Sequence, residues 1–172
     1  LRANHPILGL DGWIYVANGL QGGKVRRPGA PDAEAVDING KDFRFDPRTG
    51  QFEAIEGPGQ FVQTFDDWGN RFVGQNRHQL QHAVIPLRHL SRNPNLAVPA
   101  VLQDCPLEGI PTKVYPLTKG WTTSVQHVGT FTAACGTLIY RGGLLPGMYD
   151  GAAYTCEPTG NLIHMEVLQP DG

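Results

Sequence analysis

The sequence is poor in charge and in cysteine, and it has no long apolar run. Lys, Arg, Asp and Glu make up 17% of the 172 residues, below the roughly 25% of an average soluble domain. Fourteen basic residues face sixteen acidic ones, for a net charge of −2, and no basic block is longer than Arg26-Arg27. Nucleic-acid binding needs clustered Lys and Arg, so that class of partner is disfavoured. The longest apolar stretches resemble Ala83–Leu87, which Pro86 interrupts, far short of the about 20 residues of a spanning helix. Three cysteines form no Cys-x-x-Cys-His haem pattern, and no His/Cys cluster has zinc spacing. Gly-x-Ser-x-Gly and phosphate-loop patterns are absent. Helical periodicity is weak: only 77–90 resembles a helix, and Pro86 breaks it. The chain starts at Leu1 without a signal-peptide pattern and stops on the turn sequence Pro170-Asp171-Gly172, so it is expected to be a piece of something longer.

What is present is turn and strand material. Glycine (22) and proline (14) are abundant, and 40% of residues are hydrophobic, enough for a core in roughly one domain. Trp13-Ile14-Tyr15-Val16 is a β-rich run after the turn pair Asp11-Gly12. Phe43–Phe45 and Phe52–Ile55 flank the turn residues Asp46–Gly50, which predicts a hairpin. Phe61–Phe65, Leu138–Tyr140 and Leu162–Leu168 are further strand candidates. Residues 20–35 read as a long surface loop, and the Pro-rich stretch 91–112 as an extended crossing segment.

One internal repeat organises these strands. Gly12-Trp13-Ile14-Tyr15-Val16-Ala17 aligns with Gly69-Asn70-Arg71-Phe72-Val73-Gly74 and with Gly151-Ala152-Ala153-Tyr154-Thr155-Cys156. The shared pattern is Gly, two residues, an aromatic, a β-branched residue and a small one. Repeats of short strands at such intervals are typical of propeller blades. The expected fold is all-β, a β-propeller of the six-bladed type present as roughly three blades, 1–57, 58–118 and 119–172.

The opening Gly9-Leu10-Asp11-Gly12-Trp13-Ile14-Tyr15-Val16-Ala17-Asn18-Gly19 resembles the blade motif of a family classed, by inference, as membrane-bound dehydrogenases. That family is similar to the soluble quinoprotein glucose and sorbosone dehydrogenases. Asp42–Pro47, Gly59–Phe61, Phe65–Phe72 and Gln75-Asn76-Arg77-His78 resemble its central segments, and Arg92-Asn93-Pro94 and Cys156-Glu157-Pro158 also fit. The resemblance implies a six-bladed propeller from an exported, periplasmic protein, membrane-associated in its full-length form. It implies oxidation of an alcohol or sugar, with electrons passed to a quinone or to a c-type haem domain elsewhere. Pyrroloquinoline quinone and calcium are the implied cofactors. The quinone-holding His-Arg-Asn-Pro-Gln-Gly segment is replaced here by Gly57–Val62, so its arginine and asparagine are not matched. The alternative is a non-enzymatic propeller that binds carbohydrate or protein.

The candidate site is Gln75–His78, which follows a strand end. Loops at strand ends reach the faces where ligands bind. Arg77 can pair bidentately with a carboxylate or quinone oxygen, and His78 or His82 can act as a general base. His78 and Arg77 are the catalytic candidates. Gln60, Gln75, Asn76 and Asn18 are the cofactor-binding candidates, converging on one face because Gln60 opens the strand beside the one that Gln75 closes. Asp66, Asp67 and Asn70 read as an Asx-type turn in preference to a calcium site. His5 and His127 read as structural, His164 as outward-facing, and Trp13, Trp68 and Trp121 as core. Cys135 and Cys156 are expected to lie within disulfide reach, leaving Cys105 unpaired.

Overall fold

The computed structural model describes residues 2–107, 109–117 and 129–169. Trp121 and His127 lie outside them. The chain is all-β, built of antiparallel sheets in sequence order. The first sheet orders β1 (Asn4–Leu8), β2 (Ile14–Ala17), β5 (Asp42–Phe45) and β6 (Phe52–Ile55). The small hairpin of β3 (Lys24–Val25) and β4 (Val36–Asp37) is inserted between β2 and β5. The second sheet is the meander β7 (Val62–Phe65), β8 (Arg71–Gly74), β9 (Gln81–Ala83) and β10 (Leu102–Asp104). The third is β11 (Cys135–Ile139), β12 (Ala153–Glu157) and β13 (Leu162–Glu166). Among the described residues no helix is long and apolar enough to cross a membrane.

The repeat has a structural meaning. Its three copies form β2, β8 and β12, the second strand of each sheet. The leading glycines Gly12, Gly69 and Gly151 have φ of 79°, 83° and 75°, a left-handed conformation that costs glycine least. Each lies in the turn that starts its strand. The aromatic three positions on points forward. Tyr15 meets Phe65 of the second sheet edge-on, with ring centroids 4.8 Å apart. Phe72 joins Leu80, Ile139 and Ala153 in the core between the second and third sheets. The residue one position earlier points backward: Arg71 bonds Asp42 of the first sheet, and Ala153 faces the second.

The first strands lie side by side. β7 touches β1 on one flank and β11 on the other. Gln63 of β7 donates to the His5 carbonyl at 2.9 Å, and the Ile139 amide donates to Thr64 Oγ1 at 3.2 Å.

Several local expectations are corrected. Within 77–90, β9 precedes Pro86 and a helix, α1, spans only Leu87–Leu90, because Pro86 has no amide to continue a longer one. The stretch 91–112 contributes β10, which pairs with β9. The loop 20–35 contains β3. His164 faces inward, its ring 5.3 Å from that of Phe131 and its Nε2 3.3 Å from Glu166. Trp68 is 85% exposed, because it sits at the tip of the β7–β8 turn instead of in the core. That turn is an Asx structure: Asp66 Oδ1 accepts the amides of Trp68 and Asn70 at 3.0 and 2.8 Å.

Candidate functional site

Antiparallel order brings one set of strand ends to a common edge. β7 starts there, β8 ends there, β9 starts and β10 ends there. The β8–β9 connection, 75–80, is therefore held beside Asp104, the last residue of β10. Gly74 makes the bend possible. A Cβ on it would stand 2.7–2.8 Å from the carbonyl oxygens of Gln79 and His78, so no larger residue fits this close approach. The Gln75 amide closes the turn on the His78 carbonyl at 2.7 Å.

Four of the six expected residues are tied to the fold along this edge. Gln60 is buried; its Oε1 accepts the Asn76 amide at 3.0 Å, and its own amide bonds the Gly74 carbonyl at 2.8 Å. Gln75 donates from Nε2 to the Pro58 carbonyl at 3.2 Å. The Asn76 carbonyl accepts from the Ala134 amide at 3.0 Å, which joins the turn to the third sheet. Asn18 ends the matching strand of the first sheet, and its side chain is fully used there. It donates to the Ile38 and Lys41 carbonyls and accepts the Leu20 amide. Asn18 is thus a strand-end fastener, with no polar atom left for a ligand.

Arg77 and His78 are placed differently. Arg77 is exposed and its guanidinium has no partner among the described residues. His78 Nδ1 lies 3.0 Å from Asp104 Oδ1, both side chains being about one-third exposed (39% and 33%). A carboxylate at Nδ1 holds that nitrogen protonated and leaves Nε2 as the basic atom. The pair thus has the orientation of a general base, in the same turn as the exposed residues Asn76 and Arg77, whose side chains have no partner among the described residues. Asp104 escaped the sequence reading because it lies in the Pro-rich stretch. The alternation Leu102-Gln103-Asp104 before Cys105 was the signal for a short strand.

His82 is elsewhere. Its ring stacks on Phe72, with centroids 4.9 Å apart. Burial holds its pKa below the ordinary histidine value, against the opposing charge of Asp66. It borders a separate cleft of about 180 Å³ lined by Tyr15, Glu56, Phe65, Arg71 and Arg88.

A buried carboxylate fastens the edge from below. Asp42 accepts the amides of Asn18 at 2.8 Å and Gly59 at 2.9 Å, and it pairs with Arg71. Burial pushes its carboxyl up from the ordinary value, while the Arg71 guanidinium and the two amides pull it down. Arg71 also donates to Gln63 Oε1 and to the Glu56 carbonyl. Among the described residues no group of three His, Cys, Asp or Glu side chains is placed to hold a metal ion.

A family model described as a domain of unknown function (DUF7133) matches residues 1–172. No curated protein matches, and no solved structure matches.

Proposed function

For a chain that belongs to the family described as a domain of unknown function (DUF7133), we propose a role in oxidising an alcohol or a sugar. In this reading the three sheets are blades of a six-bladed propeller, part of an exported quinoprotein-like enzyme. The observation that carries it is the His78–Asp104 pair at 3.0 Å, with the exposed Arg77, which has no partner among the described residues, preceding His78 in the same turn. His78 Nε2 takes the hydroxyl proton of the substrate, Asp104 steadies the imidazolium that forms, and Arg77 stabilises the developing alkoxide. The carbinol hydrogen leaves as a hydride for a two-electron organic acceptor held elsewhere in the protein, from which a haem domain can draw the electrons one at a time.

The residues expected to hold the acceptor offer few donors for it. Pyrroloquinoline quinone carries three carboxylates and needs several cationic or amide donors. Asn18 spends its side chain inside the fold, Gln60 Oε1 and Gln75 Nε2 are bonded there, and Arg77 is the one permanent cation among the six. This donor set does not fit the quinone with calcium, and no step is assigned to either.

The second reading, a non-enzymatic propeller that binds carbohydrate, draws on Trp68. An indole 85% exposed at a turn tip is suited to stacking on a sugar ring. The deciding experiment assays the full-length protein with a panel of alcohols and sugars and an artificial electron acceptor. Turnover that falls at least about 100-fold in His78→Ala, the usual scale for a general base, with unchanged thermal unfolding, supports the enzyme. No turnover, together with sugar binding that Trp68→Ala abolishes, supports the second reading.

A further inference from the structure

The cleft between the first two sheets carries polar chemistry of its own. It measures about 180 Å³ and lies towards the start of β8 and the end of β9, beside Gly69, Asn70, Val84 and Pro86. His78 stands at the opposite ends of both strands. Tyr15 and Phe65 give the cleft an aromatic wall. The Tyr15 hydroxyl is committed to Asp11 and Arg44, so Tyr15 offers its ring alone.

Two charges in this cleft are not settled within the fold. Glu56 is 5% exposed, and its carboxylate has lone pairs for about four hydrogen bonds. Oε2 accepts one, from the Leu87 amide at 3.1 Å. Oε1 accepts none among the described residues. Arg71 Nη1 stands 3.6 Å from it, beyond hydrogen-bond reach, and that guanidinium already serves Asp42, Gln63 and the Glu56 carbonyl. A buried carboxylate short of donors is costly until something supplies them. The second charge is Arg88 of α1, which also lines the cleft. It is exposed, and its guanidinium has no partner among the described residues. Glu56 and Arg88 thus share one cleft without pairing with each other. Burial sets their depth, with the carboxylate at the floor, the guanidinium at the rim and apolar surface between.

We propose that this cleft binds a small zwitterionic amino acid, its ammonium group on Glu56 and its carboxylate on Arg88. Charge-assisted hydrogen bonds of these two kinds are the strong ones, and a guanidinium takes a carboxylate in a fork of two. A plain anion would meet the Glu56 carboxylate at the floor, and a plain cation would pass Arg88 at the rim. One molecule with both charges satisfies both ends. At the ~30 Å³ that a water takes in the liquid, the cleft holds about six non-hydrogen atoms, the size of alanine or β-alanine. Phenylalanine, about twice as large, is excluded. The site is independent of the enzymatic reading, since none of His78, Arg77 and Asp104 lines it.

The test is titration calorimetry of the full-length protein with alanine, β-alanine and γ-aminobutyrate, which differ in the spacing of their charges. At least one is expected to bind with a millimolar or tighter Kd. Phenylalanine is expected not to bind. Propionate and propylamine, each lacking one charge, are expected to bind at least about 10-fold more weakly, the scale of one hydrogen bond to a charged group. Arg88→Gln changes an exposed side chain and is expected to cost the same factor with unchanged thermal unfolding. Glu56→Gln is expected to do so as well; should it fail to fold, the propionate comparison reads the same contact. No binding by any of the three amino acids overturns the proposal. Binding that propionate or propylamine matches, or that Arg88→Gln leaves unchanged, overturns it as well.

Discussion

The Arg71 guanidinium of the second sheet and the Asp42 carboxylate of the first form an ion pair with both side chains almost wholly buried. Around it converge Gln63 from β7, the Glu56 carbonyl, and the amides of Asn18 and Gly59. The pair therefore fixes both the contact between the two sheets and the linker that leads to Gln60. Removing one partner strands the other charge in the interior, at a cost of about 3–5 kcal/mol. Arg71→Met is expected to lose that much in urea unfolding. Arg71→Lys is expected to recover little, because one ammonium cannot reach the Asp42, Gln63 and Glu56 oxygens in the plane of a guanidinium.

Acid is expected to weaken the fold through two histidines. Burial lowers the pKa of His5 and of His82 from the ordinary 6.5, with the Gln63 contact and the Asp66 charge opposing it respectively. Below pH 6.5 the unfolded chain takes up protons that the folded chain does not, so unfolding gains. Stability should be fully present above pH 6.5 and be lost as pH falls through the folded values. Scanning calorimetry between pH 8 and pH 5 checks this. His82→Phe keeps the stack on Phe72 and removes one titration, and its Tm should fall less steeply; an unchanged slope would assign the effect to other groups.

The sequence carried β2, β5, β6 and β7 because their signals are local, turn residues flanking β-branched and aromatic runs, whereas β9 and β10 lay in stretches whose prolines hid them. The repeat located β2, β8 and β12 because glycine and aromatic positions answer to the turn and to the inter-sheet contact, both short-range in pattern. The edge near His78 was legible in part. Gln60 and Asn76 follow from antiparallel order, whereas Asp104, 26 residues from His78, arrives from a short strand that the flanking Pro99 and Pro106 masked. Asn18 shows the opposite failure. Its position at a strand end was readable, but its bonds to Ile38 and Lys41 depend on the inserted hairpin, which composition read as a loop. His164 was placed outward because polar residues usually face water, and the third sheet reverses that rule.

The glycines that open the repeat permit a direct measurement of what the turn requires. At Gly12 and Gly151 a Cβ would meet nothing within 4 Å, so only backbone strain opposes alanine. A left-handed conformation costs an L-residue about 1–2 kcal/mol. Gly12→Ala and Gly151→Ala are each expected to lower unfolding free energy by about that amount, and by similar amounts, since their φ values nearly coincide. A loss well above this range, or a neutral result, at one position and not the other would show that these two turns are not equivalent.

Cys135 and Cys156 stand directly opposite each other on β11 and β12, and both thiols are free in the structure. Opposite residues place their Cβ atoms about 4.5–5.5 Å apart, at the upper edge of the about 3.5–4.5 Å of a disulfide. The register shift beside them at Gly136 supplies the local freedom to close the difference. Cys105 is a poor competitor, because burial, with the charge of Glu166, pushes its thiol up to about 11, and little thiolate forms at neutral pH. Exchange with a small disulfide such as oxidised glutathione should therefore join Cys135 to Cys156 and release two reduced thiols. Intact mass should fall by about 2 Da with one alkylatable thiol remaining, as thiol–disulfide exchange requires. The bond closes the 135–156 loop and is expected to stabilise by about 3 kcal/mol, a gain that either Cys135→Ser or Cys156→Ser removes. Three alkylatable thiols after prolonged oxidation, or glutathione retained on the protein, would show that the strand pair holds the two sulfurs too far apart.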